Sequence, residues 1–178
     1  MTMKTIHLSQ NKKTKVDDND YQKLSQFRWY YNGRYAARSG RKGGKKVNVY
    51  MHREILACPK SKVIDHISGD SLDNRKVNLR CCTHAENFRN QGISKHNTSG
   101  AKGVVWNKRN KNWNARITVD RKRIHLGCFN DKVTAIKQYN LAAKKYHEQY
   151  ARINKNEEED EAIKANETSA SDGATDSK

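Results

Sequence analysis

The 178-residue chain carries 36 Lys and Arg against 19 Asp and Glu, a formal net charge of +17, and its mean hydropathy is −1.10. No apolar run approaches the ~20 residues of a membrane span, and the N-terminus lacks the apolar core of a secretory signal; both exclude a membrane protein and predict a cytoplasmic one. Residues 155–178 hold eight acidic residues against three Lys, which leaves +22 on residues 1–154 and indicates a polyanionic partner, nucleic acid above all.

The N-terminal half contains one helical pattern and two strand patterns. Acidic residues open a short helix in "VDDNDYQKL", while "FRWYYNGRYAARS" and "KKVNVYM" alternate as strands do. Between those strands, residues 38–46 combine glycines with basic side chains and predict either a loop that enters a phosphate groove or a solvated basic turn. The candidate DNA-binding residues of this segment are Arg38, Arg41, Lys42, Lys45 and Lys46.

A second short helix is predicted in "MHREILA", which Pro59 follows, because proline cannot continue a helix. His52, at the start of this helix, is interpreted as a packed or capping residue rather than a ligand.

Residues 63–90, "VIDHISGDSLDNRKVNLRCCTHAENFRN", predict a strand, a loop, a second strand and a helix. Thr83 and Glu86 form a capping-box pattern, so the helix is expected to begin at Thr83 and to hold Asn87 one turn inside it. The first strand delivers Asp65 and His66 to its end. We expect these two side chains, together with Asn78 and Asn87, to converge on one concave site.

The order Asp-His, Asn, Asn in this segment resembles the His-Asn-His (HNH) nucleases with a ββα-metal finger, and among them the homing endonucleases. Asn87 stands where the family has its last His, as in a His-Asn-Asn branch. The resemblance implies a DNA endonuclease that uses Mg²⁺ or Mn²⁺ and no small-molecule cofactor. His66 would be the general base, Asn78 would orient His66, and Asp65 and Asn87 would be oxygen ligands of the metal.

Other polar residues of the segment have simpler interpretations. Asp70, Asp73 and Asn74 are expected to form Asx turns in the loop. Arg80 and Arg89 are predicted either to clamp the DNA backbone around the cut or to be solvated surface charges. The same two alternatives hold for Arg75, and His84 is placed where it could contact a phosphate.

Beyond residue 98, the runs "KGVVW", "WNARITV" and "RKRIHLGCF" predict three strands, and "NDKVTAIKQYNLAAKKYHEQY" predicts one helix packed on them. The stretches "KGV", "W.AR", "LG.F" and "A...YN.AA...H" resemble the AP-two/ERF DNA-binding domain. That resemblance implies a sheet whose polar face lies in the major groove. Its candidate DNA-binding residues are Lys102, Asn107, Lys108, Arg109, Asn114, Arg116, Thr118, Arg121, Arg123 and His125.

The predicted architecture is α+β: an HNH nuclease module with a β-hairpin extension at 1–90, a linker at 91–98, an AP-two/ERF-like domain at 99–153 and a disordered acidic tail at 154–178. The predicted function is site-specific, metal-dependent nicking of one strand of double-stranded DNA by a monomer encoded by a phage or mobile element. Two alternatives stay open: a DNA-binding regulator without catalysis, and a protein that binds structured RNA.

Overall fold

A computed structural model describes residues 2–155, so the tail predicted to be disordered lies, beyond residue 155, outside the described residues. The chain divides into two compact units, Met1–Gln91 and Gly92–Lys178. The described part is a mixed α/β structure with four α-helices and several small antiparallel sheets. None of the helices in that part is long and apolar enough to cross a membrane.

The first unit begins with two paired strands in residues 3–17, where the sequence analysis predicted no strand; they precede the predicted β-hairpin extension. Strands β1 (Met3–His7) and β2 (Lys13–Asp17) pair antiparallel, and helix α1 (Asp18–Leu24) follows at once. The hairpin supplies apolar side chains to a small core, because alternate residues of β2 turn inward. The buried members of that core are Ile6, Leu8, Val16, Leu24, Trp29, Ala36 and Met51.

Three strands and one helix follow: β3 (Tyr30–Tyr31), β4 (Ala36–Lys42), β5 (Lys45–Tyr50) and α2 (Met51–Ile55). The prediction of a basic loop over residues 38–46 is wrong, since β4 and β5 stay paired up to Lys42 and Lys45. Only Gly43 and Gly44 form the turn, with φ of +56° and +75°. A two-residue turn with both φ positive matches the twist of the flanking strands and favours glycine.

The segment that carries the Asp-His pair folds as β6 (Val63–His66), β7 (Leu79–Cys82) and α3 (His84–Asn90). The predicted order of strand, loop, strand and helix is confirmed, and so is the capping box. Thr83 accepts a hydrogen bond from the backbone N–H of Glu86, whose carboxylate accepts one from the backbone N–H of Thr83. The sequence "VNLRCC" predicts that the second strand begins at Val77, but Val77 and Asn78 lie in a 3-10 turn that precedes it.

The second unit is a three-stranded antiparallel sheet with one helix packed on it. Its strands are β8 (Val104–Asn107), β9 (Asn112–Val119) and β10 (Lys122–Phe129), with β9 in the centre, and its helix is α4 (Lys132–His147). The run "WNARITV" predicts a strand with Trp113, Ala115, Ile117 and Val119 on one face and Asn114, Arg116 and Thr118 on the other. Along β9 this alternation is confirmed, because Ala115 and Ile117 are buried while Arg116 and Thr118 are exposed.

The spacing of apolar residues predicts one packed face for this helix, made of Val133, Ile136, Tyr139, Ala143, Tyr146 and Tyr150. Helix α4 does bury Ile136, Tyr139 and Ala143 against the sheet, but Tyr146 is 36% exposed. His147 is buried near the end of the helix, and its Nε2 donates a hydrogen bond to the Thr118 carbonyl at 3.0 Å.

Gly103, just before β8, lies between the Tyr139 ring of α4 and the backbone of β9. Its φ is +74°, and a Cβ there would lie 2.1 Å from the Tyr139 ring and 2.6 Å from the carbonyl oxygen of Arg116. A buried ring and a sheet carbonyl cannot both move away. Only glycine therefore fits this position.

We predict that Gly103→Ala destabilises the second unit by about 2–5 kcal/mol, the sum of the cost of a left-handed alanine and of overpacking. Gly100→Ala is the matched control, because Gly100 has φ +71° but only the flexible end of Lys132 nearby, at 3.7 Å. It should cost about 1–2 kcal/mol. Amide hydrogen exchange of β9 measures both values, and equal losses would contradict the steric argument.

Candidate active site

Asp65 and His66 end strand β6 and are both buried, at 5% and 6% exposure. Neighbouring residues of a strand point to opposite faces, so the two side chains enter different surroundings. The carboxylate lies against β7 and α3. The imidazole lies against the rings of His52 from α2 and of Tyr35 just before β4.

Arg80 holds the Asp65 carboxylate from the neighbouring strand, where the two residues are directly paired. The guanidinium donates from Nε and Nη2 to the same oxygen, Oδ2, at 2.9 and 2.7 Å. The Arg80 side chain is only 15% exposed. Arg80 was predicted as a clamp on DNA; in the structure its guanidinium is committed to Asp65, a contact that only the strand register reveals.

Asn90, at the end of α3, is the second partner of Asp65. Its amide Nδ2 lies 3.0 Å from both carboxylate oxygens, 3.0 Å from the His66 carbonyl and 3.2 Å from the Ile67 carbonyl. The sequence analysis did not select Asn90. Its spacing of three from Asn87 was the available indication, since positions three apart share one face of a helix. Asn87 itself is half-buried one turn earlier.

His66 sits in a cluster of rings. Tyr35 stacks on it with centroids 5.9 Å apart and 24° between the planes, and His52 meets it edge-on at 5.3 Å. Burial lowers the pKa of His66, against the opposing effects of its hydrogen bond to Asn74 Oδ1 and of the charge of Asp65. Burial also lowers the pKa of His52 to about 4, helped by the nearby His66 and Arg53. Both imidazoles are therefore neutral at pH 7.

Asn74 contacts the His66 ring: its Oδ1 lies 3.3 Å from Nε2. The Asn74 side chain is 1% exposed, and its Nδ2 donates to the Thr14 hydroxyl at 2.7 Å. The prediction of an Asx turn at Asn74 is wrong, because its side chain forms a hydrogen bond with Thr14 of β2 instead. Asp70 and Asp73 do form the predicted turns, accepting from the backbone N–H groups of Leu72 and Arg75.

Asn78 ties together the two arms of the loop at residues 67–78. Its Nδ2 donates to the Asp73 carbonyl at 2.7 Å, and its Oδ1 accepts from the Ser68 N–H at 2.8 Å. Its backbone carbonyl accepts from the Ile67 N–H at 2.9 Å. Asn78 thus fixes the backbone just after His66, while Asn74 contacts the ring.

The basic candidates of the first unit have different surroundings. Arg38 pairs with Glu54 and lies over the Phe27 ring at 4.2 Å, so its guanidinium is used within the fold. Arg89 is half-buried on α3. The four basic residues beyond Arg38 in the β4–β5 hairpin are exposed: Arg41, Lys42, Lys45 and Lys46.

The candidates of the second unit cluster on one face of its sheet and the adjacent turns. The exposed members are Lys108, Arg109, Arg116, Thr118, Arg121, Arg123 and His125. Asn107 caps the β8–β9 turn by accepting from the N–H groups of Arg109 and Asn110. Lys102 is half-buried, and burial followed by the charge of Arg152 lowers its pKa to about 8. Asn114 is half-buried on β9, and its Oδ1 accepts no hydrogen bond from residues 2–155.

The donor atoms near Asp65 fit a hard dication. No three His, Cys, Asp or Glu side chains of residues 2–155 come together as a metal site. Magnesium and manganese, however, accept one carboxylate with water and phosphate oxygens. Oδ2 of Asp65 accepts from Arg80 at 2.9 and 2.7 Å, and Asn90 Nδ2 lies 3.0 Å from each of the two carboxylate oxygens. The Asp65 carboxylate is thus held in one orientation, as a metal ligand has to be.

His52 predicts how the first unit responds to acid. Its folded pKa of about 4 lies below the ordinary 6.5, so the unfolded chain binds more protons between these values. Stability is therefore lost as pH falls from about 6.5 towards about 4, by up to about 1.4 kcal/mol per pH unit. His52→Phe should reduce this loss and exposed His84→Gln should not. Opening free energies from hydrogen exchange of β6 and β7 test this, and identical pH slopes in all three proteins would contradict it.

Comparison with known proteins agrees with this geometry. A family model described as HNH endonuclease matches residues 57–89, which include β6, β7 and most of α3. Protein 3.8 of Escherichia phage T7 is 34% identical over 95 residues, a region that covers 53% of this chain and 78% of that protein. No solved structure matches. The chain therefore belongs to the same family as protein 3.8 of phage T7 and contains an HNH endonuclease domain at residues 57–89.

Proposed function

We propose that the protein is a site-specific, divalent-metal-dependent DNA endonuclease of the HNH homing type. The observation that carries the proposal is the end of β6, where the buried His66 and the Asp65 carboxylate lie within the matched HNH segment. A second proposal goes with it. As a relative of a phage protein, this chain acts in the cytoplasm of a bacterial host.

Hydrolysis of a phosphodiester needs an activated water, neutralised phosphate oxygens and a stabilised leaving alkoxide. His66, kept neutral by burial, accepts the proton of the attacking water. Asp65 and Asn87 are the residues that would hold Mg²⁺ or Mn²⁺. The bound ion would supply the charge that neutralises the phosphate and the leaving oxygen. Asn78 keeps the loop beside the reacting groups in one conformation.

The second unit is proposed to anchor the enzyme on double-stranded DNA as an AP-two/ERF-type domain. Its exposed sheet face carries Arg116 and Arg123, which suit phosphates and guanine edges. On β9, the strand that carries Arg116, the Oδ1 atoms of Asn112 and Asn114 are buried and accept no hydrogen bond from residues 2–155. Amides with unused hydrogen-bonding capacity on a basic face support direct contact with base edges.

The sequence contains one set of candidate site residues, namely Asp65, His66, Asn78 and Asn87. One set supports a monomer that nicks one strand of an asymmetric site. A supercoiled plasmid that carries candidate target sites, incubated with Mg²⁺ or with EDTA, tests this directly. Nicked circles that form only with Mg²⁺ are expected. Tight binding without any cutting would favour the non-catalytic regulator, and preferential binding of structured RNA in competition would favour an RNA-binding protein.

We predict that His66→Ala slows cutting by about 10²-fold or more and leaves the affinity for DNA nearly unchanged, because only a general base is lost. The matched control is His7→Ala, an exposed histidine at the end of β1. Single-turnover nicking and gel-shift assays measure the two effects. Equal rates for the wild type and His66→Ala would exclude His66 as the base.

We predict that Asp65→Asn raises the Mg²⁺ concentration needed for half-maximal cutting by about tenfold or more, since it removes the carboxylate charge while keeping its shape. Asp70→Asn is the control, because it removes the same charge from an exposed residue of the neighbouring loop. Circular dichroism checks that both variants are folded, as Asp65→Asn leaves Arg80 without its ion pair. Full activity in excess chelator would refute the metal-dependent mechanism.

A further inference from the structure

A chain of three hydrogen bonds connects the His66 ring to the N-terminal hairpin. The Thr14 hydroxyl of β2 bonds to the Leu72 carbonyl at 2.7 Å, Asn74 Nδ2 bonds to the Thr14 hydroxyl at 2.7 Å, and Asn74 Oδ1 lies 3.3 Å from His66 Nε2. Thr14 is fully buried and Asn74 is 1% exposed. Water therefore cannot replace any of the middle groups.

The direction of each bond follows from the first one. A carbonyl oxygen can only accept, so the single hydroxyl hydrogen of Thr14 goes to Leu72. The Thr14 oxygen can then only accept, and it must face the NH₂ group of Asn74. This orientation turns the Asn74 carbonyl oxygen to the ring, where it can only accept from His66. The hydrogen of the neutral imidazole is consequently on Nε2.

We infer that Asn74 is a positioning residue that fixes the tautomer of His66, and that Thr14 of the N-terminal hairpin fixes the orientation of Asn74. The inference rests on the proposed function only in its chemical consequence: with the hydrogen on Nε2, the lone pair of Nδ1 is the one that takes the proton of the attacking water. Asn78 cannot have this role, because both ends of its amide bond to the backbone of the loop.

The other neighbours of the ring do not select a tautomer. Tyr35 and His52 contact His66 through their ring faces and edges, with centroids 5.9 and 5.3 Å away. Asn90 donates to the backbone carbonyl of His66, and a bond to the backbone does not restrain the rotation of the ring. Among the described contacts, the hydrogen bond to Asn74 Oδ1 is the one that sets both the rotation of the imidazole and the position of its hydrogen.

The test uses Thr14→Val, which keeps the size of the side chain and removes the hydroxyl, with Thr14→Ser as the matched control. In the valine variant, nothing holds the NH₂ group of Asn74 away from the ring. The amide can turn over, donate to Nε2 and move the imidazole hydrogen to Nδ1. Long-range ¹H–¹⁵N correlation spectra of the full chain report the tautomer, with the His66 signals assigned from His66→Gln.

The wild type and Thr14→Ser are expected to hold the Nε2–H form. Thr14→Val is expected to gain the Nδ1–H form and to lose about 10- to 100-fold in kcat with KM for DNA unchanged. A wild-type ring in the Nδ1–H form would overturn the inference, and so would a Thr14→Val ring that stays in the Nε2–H form.

Asn74→Asp provides a second test if Thr14→Val does not fold. Both carboxylate oxygens can only accept, so the hydrogen of a neutral His66 should stay on Nε2; a move to Nδ1 would contradict the inference. The spectra do not depend on cutting. If they show the expected tautomers but no protein cuts DNA, the proposed function fails and the role of Asn74 stands. If DNA is cut and Thr14→Val behaves like the wild type, the proposed function stands and the role of Asn74 fails.

Discussion

The candidate active site depends on the backbone pairing of the loop at residues 67–78 with strand β2. The Lys15 N–H donates to the Leu72 carbonyl at 2.9 Å, and the Asn74 N–H donates to the Lys15 carbonyl at 2.8 Å. The carboxylate of Asp17 accepts from the Lys76 N–H at 2.7 Å. The loop is much longer than the two strands that it connects, and it loses a large conformational entropy when it becomes ordered. The N-terminal hairpin offsets that loss with bonds that the two strands and α3 cannot supply.

The Asp65–Arg80 pair is a second constraint, and it couples stability to chemistry. Both side chains are largely removed from water, so the pair gains little over apolar residues, but loss of one partner leaves a buried charge at a cost of about 3–5 kcal/mol. The carboxylate that would hold the metal is therefore also needed for folding. Arg80 binds Oδ2 and Asn90 bridges both oxygens, which orients Oδ1 before any ligand arrives.

The sequence predicted features that are encoded locally. The capping box at Thr83, the alternation of β9 and the β6–β7–α3 order depend on residues close in the chain, and all three are present. The partners of the site residues depend on distant pairing. Asn74 forms a hydrogen bond with Thr14, which lies 60 residues earlier in the chain, and Arg80 contacts Asp65 only because of the register of β6 and β7. No local pattern distinguishes Asn74, which is buried in this network, from Asp70, which forms an ordinary Asx turn.

The abundance of short polar side chains in residues 63–90 follows from the small size of the core. Few apolar residues are buried in the first unit, so hydrophobic contacts alone would allow several packings of the loop. Asn74, Asn78 and Asn90 are each 6% exposed or less and each bonds to defined partners. A buried amide that loses its partners costs about 1–3 kcal/mol, so alternative packings are penalised one residue at a time. Asparagine suits this use because one short side chain both donates and accepts, and can therefore fix a direction as well as a distance.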